Sequence, residues 1–187
     1  KKNKTKKLYI YNHPAQDSIF KPDEDSPYWR ELRAKRSEIK ESLDIKTTTL
    51  DKLCFEKKFK PRYLKIDVEG AEILVLNGAN EILGNSVQCI RIEVEFNKFY
   101  KKQEATFPHV ALHLNKLGFT FMNFDMFTGS YARFSEYHNP MRFGQLVSAD
   151  ALFLRDPGAV KNLKIIEKLD YILFCLSNNL EDLAIKI

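Results

Sequence analysis

Residues 64–72 read LKIDVEGAE. Leu64, Ile66 and Val68 alternate with Lys65, Asp67 and Glu69, which is the period of a strand, and Gly70 then turns the chain into a run with helical spacing. Alternate side chains of a strand share a face, so Asp67 and Glu69 are expected to point the same way at the strand's carboxyl end. Open α/β sheets place their ligands there. A strand that delivers two carboxylates to a glycine turn marks a candidate site.

Working outward, the pattern is regular. A strand over 63–68, a helix over 71–83 closed by Gly84, a strand over 87–96, a helix over 107–117 closed by Gly118 and a strand over 119–124 follow one another. Such alternation predicts an α/β fold with a parallel sheet. Residues 125–148 hold Phe127, Tyr131, Phe134, Tyr137 and Phe143 without a helical period, and they lead into a strand over 151–155. No crossover helix is visible between them, so the last strand is expected to be antiparallel. The loop aromatics suit either a pocket cap or the underside of a packed loop.

Upstream, a strand over 7–11 gives way to a polar loop through His13, Asp17 and Asp23. Ser26 then reads as the cap of a helix with Pro27 at its first position, running to about residue 40. Its apolar stripe of Trp29, Leu32 and Ile39 is thin, as for a lid or surface arm. A short strand over 44–49 follows, and Thr48 or Thr49 can cap a helical turn containing Leu50, Leu53 and Phe55 that Pro61 ends. At the other end, Val160, Leu163, Ile166, Leu169, Leu173, Leu176, Leu180, Leu183 and Ile187 recur at three- and four-residue spacing. They predict one amphipathic C-terminal helix.

Composition narrows the function classes. The 187 residues, 44% hydrophobic and 29% charged, suit one globular domain. The net charge of +5 is carried by Lys1, Lys2, Lys4, Lys6 and Lys7, so a broad basic face for nucleic acid is not expected. Cys54, Cys89 and Cys175 lack the spacing of a disulfide framework or a zinc site, which fits a reducing, cytoplasmic setting. No run of 18 apolar residues suggests a membrane span. The chain opens with Lys1 inside a lysine run, which reads as an internal fragment.

The chemistry concentrates in acids. On the strand over 87–96, Ile90, Ile92, Val94 and Phe96 take one face while Arg91, Glu93 and Glu95 take the other, so Glu93 and Glu95 should end beside Asp67 and Glu69. Close carboxylates repel, and a proton, a metal ion or a cation such as Lys65 or Arg91 must neutralise one of them. The group suits a proton acceptor or a divalent ion, with a structural ion pair as the ordinary competing reading. His109 and His113 stand at i and i+4 but lack a third ligand, and His13 is a loop histidine. No two glycines among 70, 78, 84, 118, 129, 144 and 158 form a G-x-G turn for a nucleotide.

The run LKIDVEGAEILVLNGA, preceded by TTTLDKL and followed by CIRIEVEF and ADALFLRD, resembles the FkbM family of S-adenosylmethionine-dependent methyltransferases. The resemblance covers residues 7–155. It implies the C-terminal half of a class I methyltransferase (Rossmann-like) sheet over 1–156, its last strand antiparallel, with residues 157–187 as an appended helix. The family's first three strands, with the glycine-rich cofactor turn, would precede Lys1.

It further implies methyl transfer from S-adenosylmethionine to a hydroxyl of a small molecule or glycan. Asp67 is expected to take the proton or to bind a divalent ion such as magnesium together with Glu93, and Glu69 and Glu93 to orient acceptor or metal. The alternative is a catalytically silent partial domain that binds partners or dimerises through residues 160–187. A nucleotide enzyme of another doubly wound family is disfavoured by the missing phosphate loop.

Overall fold

A computed structural model describes residues 4–32, 38–132 and 144–187 of the chain. Its architecture is mixed α/β, with a two-stranded hairpin set against a four-stranded mixed sheet. The hairpin pairs β1 (Lys4–Tyr11) antiparallel with β2 (Ile39–Thr47). Between these strands lies α1 (Pro27–Leu32). Next come α2 (Leu50–Lys57), β3 (Tyr63–Ile66), α3 (Glu72–Asn77), α4 (Asn80–Asn85), β4 (Cys89–Glu95) and α5 (Phe107–Lys116). The chain closes with β5 (Phe119–Ala132), β6 (Gln145–Arg155), α6 (Pro157–Val160), α7 (Ile165–Ser177) and α8 (Glu181–Lys186).

The sheet order is β3-β4-β6-β5. β3 runs parallel to β4, while β6 inserts between β4 and β5 and is antiparallel to both. The antiparallel final strand is thus present, and β5 extends eight residues beyond the expected strand end at 124. Phe134, Tyr137 and Phe143 lie outside the described residues, whereas Tyr131 is half-buried on β5.

One face of the sheet buries Ile66, Ile90, Ile92, Val94 and Phe153 against Leu76, Leu83, Val110 and Leu114 of α3, α4 and α5. On the other face Cys89, Leu152 and Leu154 pack under Tyr171 and Cys175 of α7. Burial pushes the Cys89 thiol up to about 12 and the Cys175 thiol up to about 11, so both stay protonated sulfhydryls in the core. Arg155 joins the layers, donating to the carbonyls of Leu83, Val87 (2.7 Å) and Leu117 (3.1 Å) while its guanidinium stacks 4.3 Å from the Phe119 ring centre.

Several expectations are corrected. The helix over 71–83 is two helices with a break at Gly78, and Gly84 lies inside α4 rather than closing it. Asp51 causes the break: its carboxylate accepts from the backbone N–H groups of Glu81 and Ile82 at 3.1 and 3.0 Å, capping α4 from 30 residues away.

The helix expected from Ser26 to about residue 40 ends at Leu32 among the described residues, and Ile39 opens β2. Ser26 does not use its hydroxyl as a cap but donates it to Lys98 O at 3.0 Å. The supposed arm is core: Trp29 is buried between Tyr11 and Tyr100, with ring centres 6.0 and 5.7 Å away. Thr49 does cap α2, accepting from Lys52 N–H. The single C-terminal helix is instead three, because the chain turns at 161–164 and again at 178–180.

Candidate functional site

β3 is only four residues long, and the chain leaves it at Ile66 in a tight turn. Glu69 takes φ +53° and Gly70 φ +89°. Two groups from elsewhere in the chain clamp this turn. Ser18 Oγ donates to Glu69 O at 2.7 Å, and Tyr100 Oη donates to Glu69 Oε2 at 2.5 Å. From within, Glu72 Oε1 accepts from the N–H groups of Val68 and Gly70, both at 3.2 Å. Gly70 is required here twice over. Its φ is positive, and a Cβ would lie 2.7 Å from Tyr100 Cδ2.

Asp67 and Glu69 therefore sit beyond the strand, and the turn rather than strand alternation brings them together. Register supplies the third acid: Ile66 stands beside Ile92, so the next position on each chain is Asp67 and Glu93. Carboxylate oxygens of Asp67, Glu69 and Glu93 all lie within 4.8 Å of one another. Their environments differ. Asp67 has a half-exposed side chain, Glu93 is half-buried, and Glu69 is buried. Glu95 goes elsewhere, accepting from Gln103 Nε2 at 3.3 Å.

Cations balance this face. Lys65 Nζ lies 3.4 Å from Asp67 and 2.8 Å from Asp150, and Arg91 pairs with Asp125 at 2.7 Å and reaches Asp150 at 3.9 Å. Lys65 is thus the partner of Asp67, whereas Arg91 serves β5 and β6. The shared carboxylates hold both cations in their charged forms, outweighing the cost of partial burial.

Burial is the dominant cause that raises the Glu72 carboxyl to about 7, with the Glu69 charge adding to it.

A cleft of about 390 Å³ opens at Asp67. Lys6, Leu8, Ser18 and Thr47 line its hairpin side, and Val68, Ala71 and Leu74 line its other side. Larger clefts of about 670 and 620 Å³ flank α2, but neither is lined by Asp67, Glu69 or Glu93, and Asp51 in the larger one is occupied as a cap.

His109 and His113 have other surroundings than the acids. His109 Nδ1 accepts from Thr106 N–H as part of a capping box, while burial and Lys116 push His113 below its ordinary value. Among the described residues the only cluster of three or more metal-ligating side chains is Asp67, Glu69 and Glu93.

Sequence reasoning missed Ser18, Glu72, Tyr100 and Gln103. Glu72 lay inside the quoted motif and its place at the start of a helix was the available signal. Ser18, Tyr100 and Gln103 come from loops whose approach only the tertiary fold reveals.

A family model described as the methyltransferase FkbM domain matches residues 2–121. The chain belongs to the FkbM methyltransferase family. The FkbM match spans the hairpin, the acid turn, β4 and α5, so every residue of the triad and both clamps fall inside it. A search of curated proteins and one of solved structures found no match.

S-adenosylmethionine is the donor such a family implies. A dinucleotide-like adenosyl group needs a glycine turn for close backbone approach and an acid for the ribose. Among the described residues no two glycines have that spacing. The described residues thus do not supply the glycine turn that such a donor group needs. In the described residues no helix is long and apolar enough to cross a membrane.

Proposed function

We propose that this FkbM domain serves S-adenosylmethionine-dependent O-methylation, with a hydroxyl of a sugar or other small molecule as acceptor. The observation that carries the proposal is the convergence of Asp67, Glu69 and Glu93 at one end of β3 and β4, beside an open cleft. The sheet order, with an antiparallel strand inserted last, supports the reading of a class I methyltransferase sheet.

A hydroxyl becomes a competent nucleophile when a positioned base removes its proton. Asp67 suits that role because its carboxylate reaches the cleft, whereas the Glu69 carboxylate already accepts from Tyr100. Glu69 and Glu93 would fix the acceptor's orientation, which supplies rate by positioning. Lys65, 3.4 Å from Asp67, places a positive charge beside this carboxylate. Three carboxylates also make a hard-oxygen donor set for a divalent ion such as magnesium, through Asp67 and Glu93.

The test is methyl transfer by the full chain from labelled S-adenosylmethionine to a panel of glycans and hydroxylated small molecules. Calorimetric titration of the cofactor should accompany it. Transfer that is lost in Asp67→Asn supports the reading. Full activity in that variant overturns the role of Asp67, and cofactor binding without transfer to any hydroxyl overturns the acceptor class.

A further inference from the structure

Helix α7 has two unlike faces. Tyr171 and Cys175 are fully buried against Leu152 and Leu154 of the sheet. On the opposite side Ile165, Ile166, Leu169, Leu173 and Leu176 are 74, 58, 47, 62 and 48% exposed. Ile166, Leu169, Leu173 and Leu176 repeat at intervals of three, four and three residues. This is the seam spacing by which one helix packs along another.

Five such side chains expose on the order of 500 Å² of apolar surface, in the size range of a monomer's largest apolar patch, which is often functional. Doubled across a twofold axis, the face buries roughly 1,000 Å², the lower bound for a specific interface. Polar surroundings fit the same arrangement. Glu167 and Asp170, on the acidic flank of α7, already pair with Arg62 of the same chain at 2.8 and 3.5 Å, so the seam can close without an unpaired acid.

The ends are complementary. Exposed Lys161 and Lys164 precede the helix, while exposed Glu181 and Asp182 follow it. An antiparallel pairing centred on Tyr171 sets Leu169 against Leu173 and Ile166 against Leu176 of the second copy, and turns the lysine end of α7 toward the acidic end of its partner. Helix dipoles also favour antiparallel neighbours.

We propose that the exposed seam of α7 is a self-association surface, through which two copies of this chain pair antiparallel about a twofold axis. Twofold symmetry presents the same patch from each copy, and the antiparallel arrangement turns the lysine end of one helix toward the acidic end of the other. Interfaces at the low end of the size range are mostly weak and transient, and a dissociation constant on the order of micromolar is expected.

Sedimentation equilibrium of the full chain from about 1 to 200 µM tests this. The expected mass rises toward twice the 21.9 kDa of one chain. Leu169→Glu and Leu173→Glu, both at exposed positions, should keep a wild-type circular dichroism spectrum and raise the dissociation constant by about a hundredfold or more. Lys161→Glu should weaken pairing about tenfold. Combining it with Glu181→Lys should restore the pairing, which reads out the antiparallel orientation.

A chain that stays monomeric throughout overturns the proposal. A dimer that persists unchanged in both glutamate variants overturns it too, and places the contact elsewhere. A monomer that co-sediments with phosphatidylserine vesicles, and loses this in Leu169→Glu, also overturns it and assigns the seam to a lipid surface.

Discussion

Tyr100 and Glu69, 31 residues apart, share a hydrogen bond of 2.5 Å from phenol to carboxylate with both side chains buried. The bond links the turn after β3 to the loop after β4, and Gln103 secures that loop by accepting from the N–H groups of Phe99 and Tyr100 at 2.9 and 3.3 Å. Tyr100→Phe removes the donor and leaves a buried carboxylate oxygen short of its partner. The expected cost is about 1–3 kcal/mol by urea unfolding, since a buried acceptor without its donor carries a desolvation penalty of that size. A change below about 0.5 kcal/mol would show that water replaces the phenol there.

Gly70→Ala should be more damaging than an ordinary surface change. The new methyl group meets Tyr100 Cδ2 at 2.7 Å in a backbone already at φ +89°. Strain of about 1–3 kcal/mol is expected from the positive φ, with the clash added to it. Thermal unfolding of the variant measures the sum, and Tyr100→Ala combined with it should relieve the clash but not the backbone strain.

The Glu72 carboxyl gives the fold a defined pH dependence. Burial raises it from the ordinary 4.5 to about 7. Between those values the folded state holds a proton that the unfolded state has released, so stability falls as pH rises through this window and levels off above it. The effect is on the order of 3 kcal/mol. Glu72→Gln stays neutral at every pH. Its stability relative to wild type should therefore rise between pH 5 and pH 8, measured by denaturant titration at each pH. A constant difference would refute the assignment.

Arg155→Leu tests the joint between layers. Three carbonyls, of Leu83, Val87 and Leu117, lose their donor at once, and the Phe119 ring loses its cation. A loss of about 3–5 kcal/mol is expected, because removing a shared buried donor strands several acceptors together. Amide hydrogen exchange should show the damage at the ends of α4 and α5 first.

Much of the fold was legible because β-strand and helix periods alternate cleanly from Tyr63 onward, and Asp67, Glu69 and Glu93 do lie together as expected, whereas Glu95, expected beside them, turns to Gln103. The reasoning behind their proximity was only half right. Asp67 and Glu93 meet through parallel register, but Glu69 arrives through a left-handed turn that strand periodicity does not encode. Other misses share one physical cause. Gly78 interrupts an otherwise helical run because Asp51 supplies a cap from a distant segment, and Trp29 is core because two tyrosines from other elements enclose it. Local propensity is silent about partners that sequence separation hides.

The position of β6 governs how the molecule can be made. It is the last strand in the chain, yet it lies inside the sheet with neighbours on both sides. Until Arg155 leaves the ribosome, β4 and β5 have no strand between them, and their apolar faces await a segment synthesised some 50 residues after β4 ends. Nascent chains at that stage expose unpaired edges that favour aggregation or chaperone capture. Closure of the sheet is consequently a late, long-range event that waits on the insertion of one strand rather than on the early hairpin.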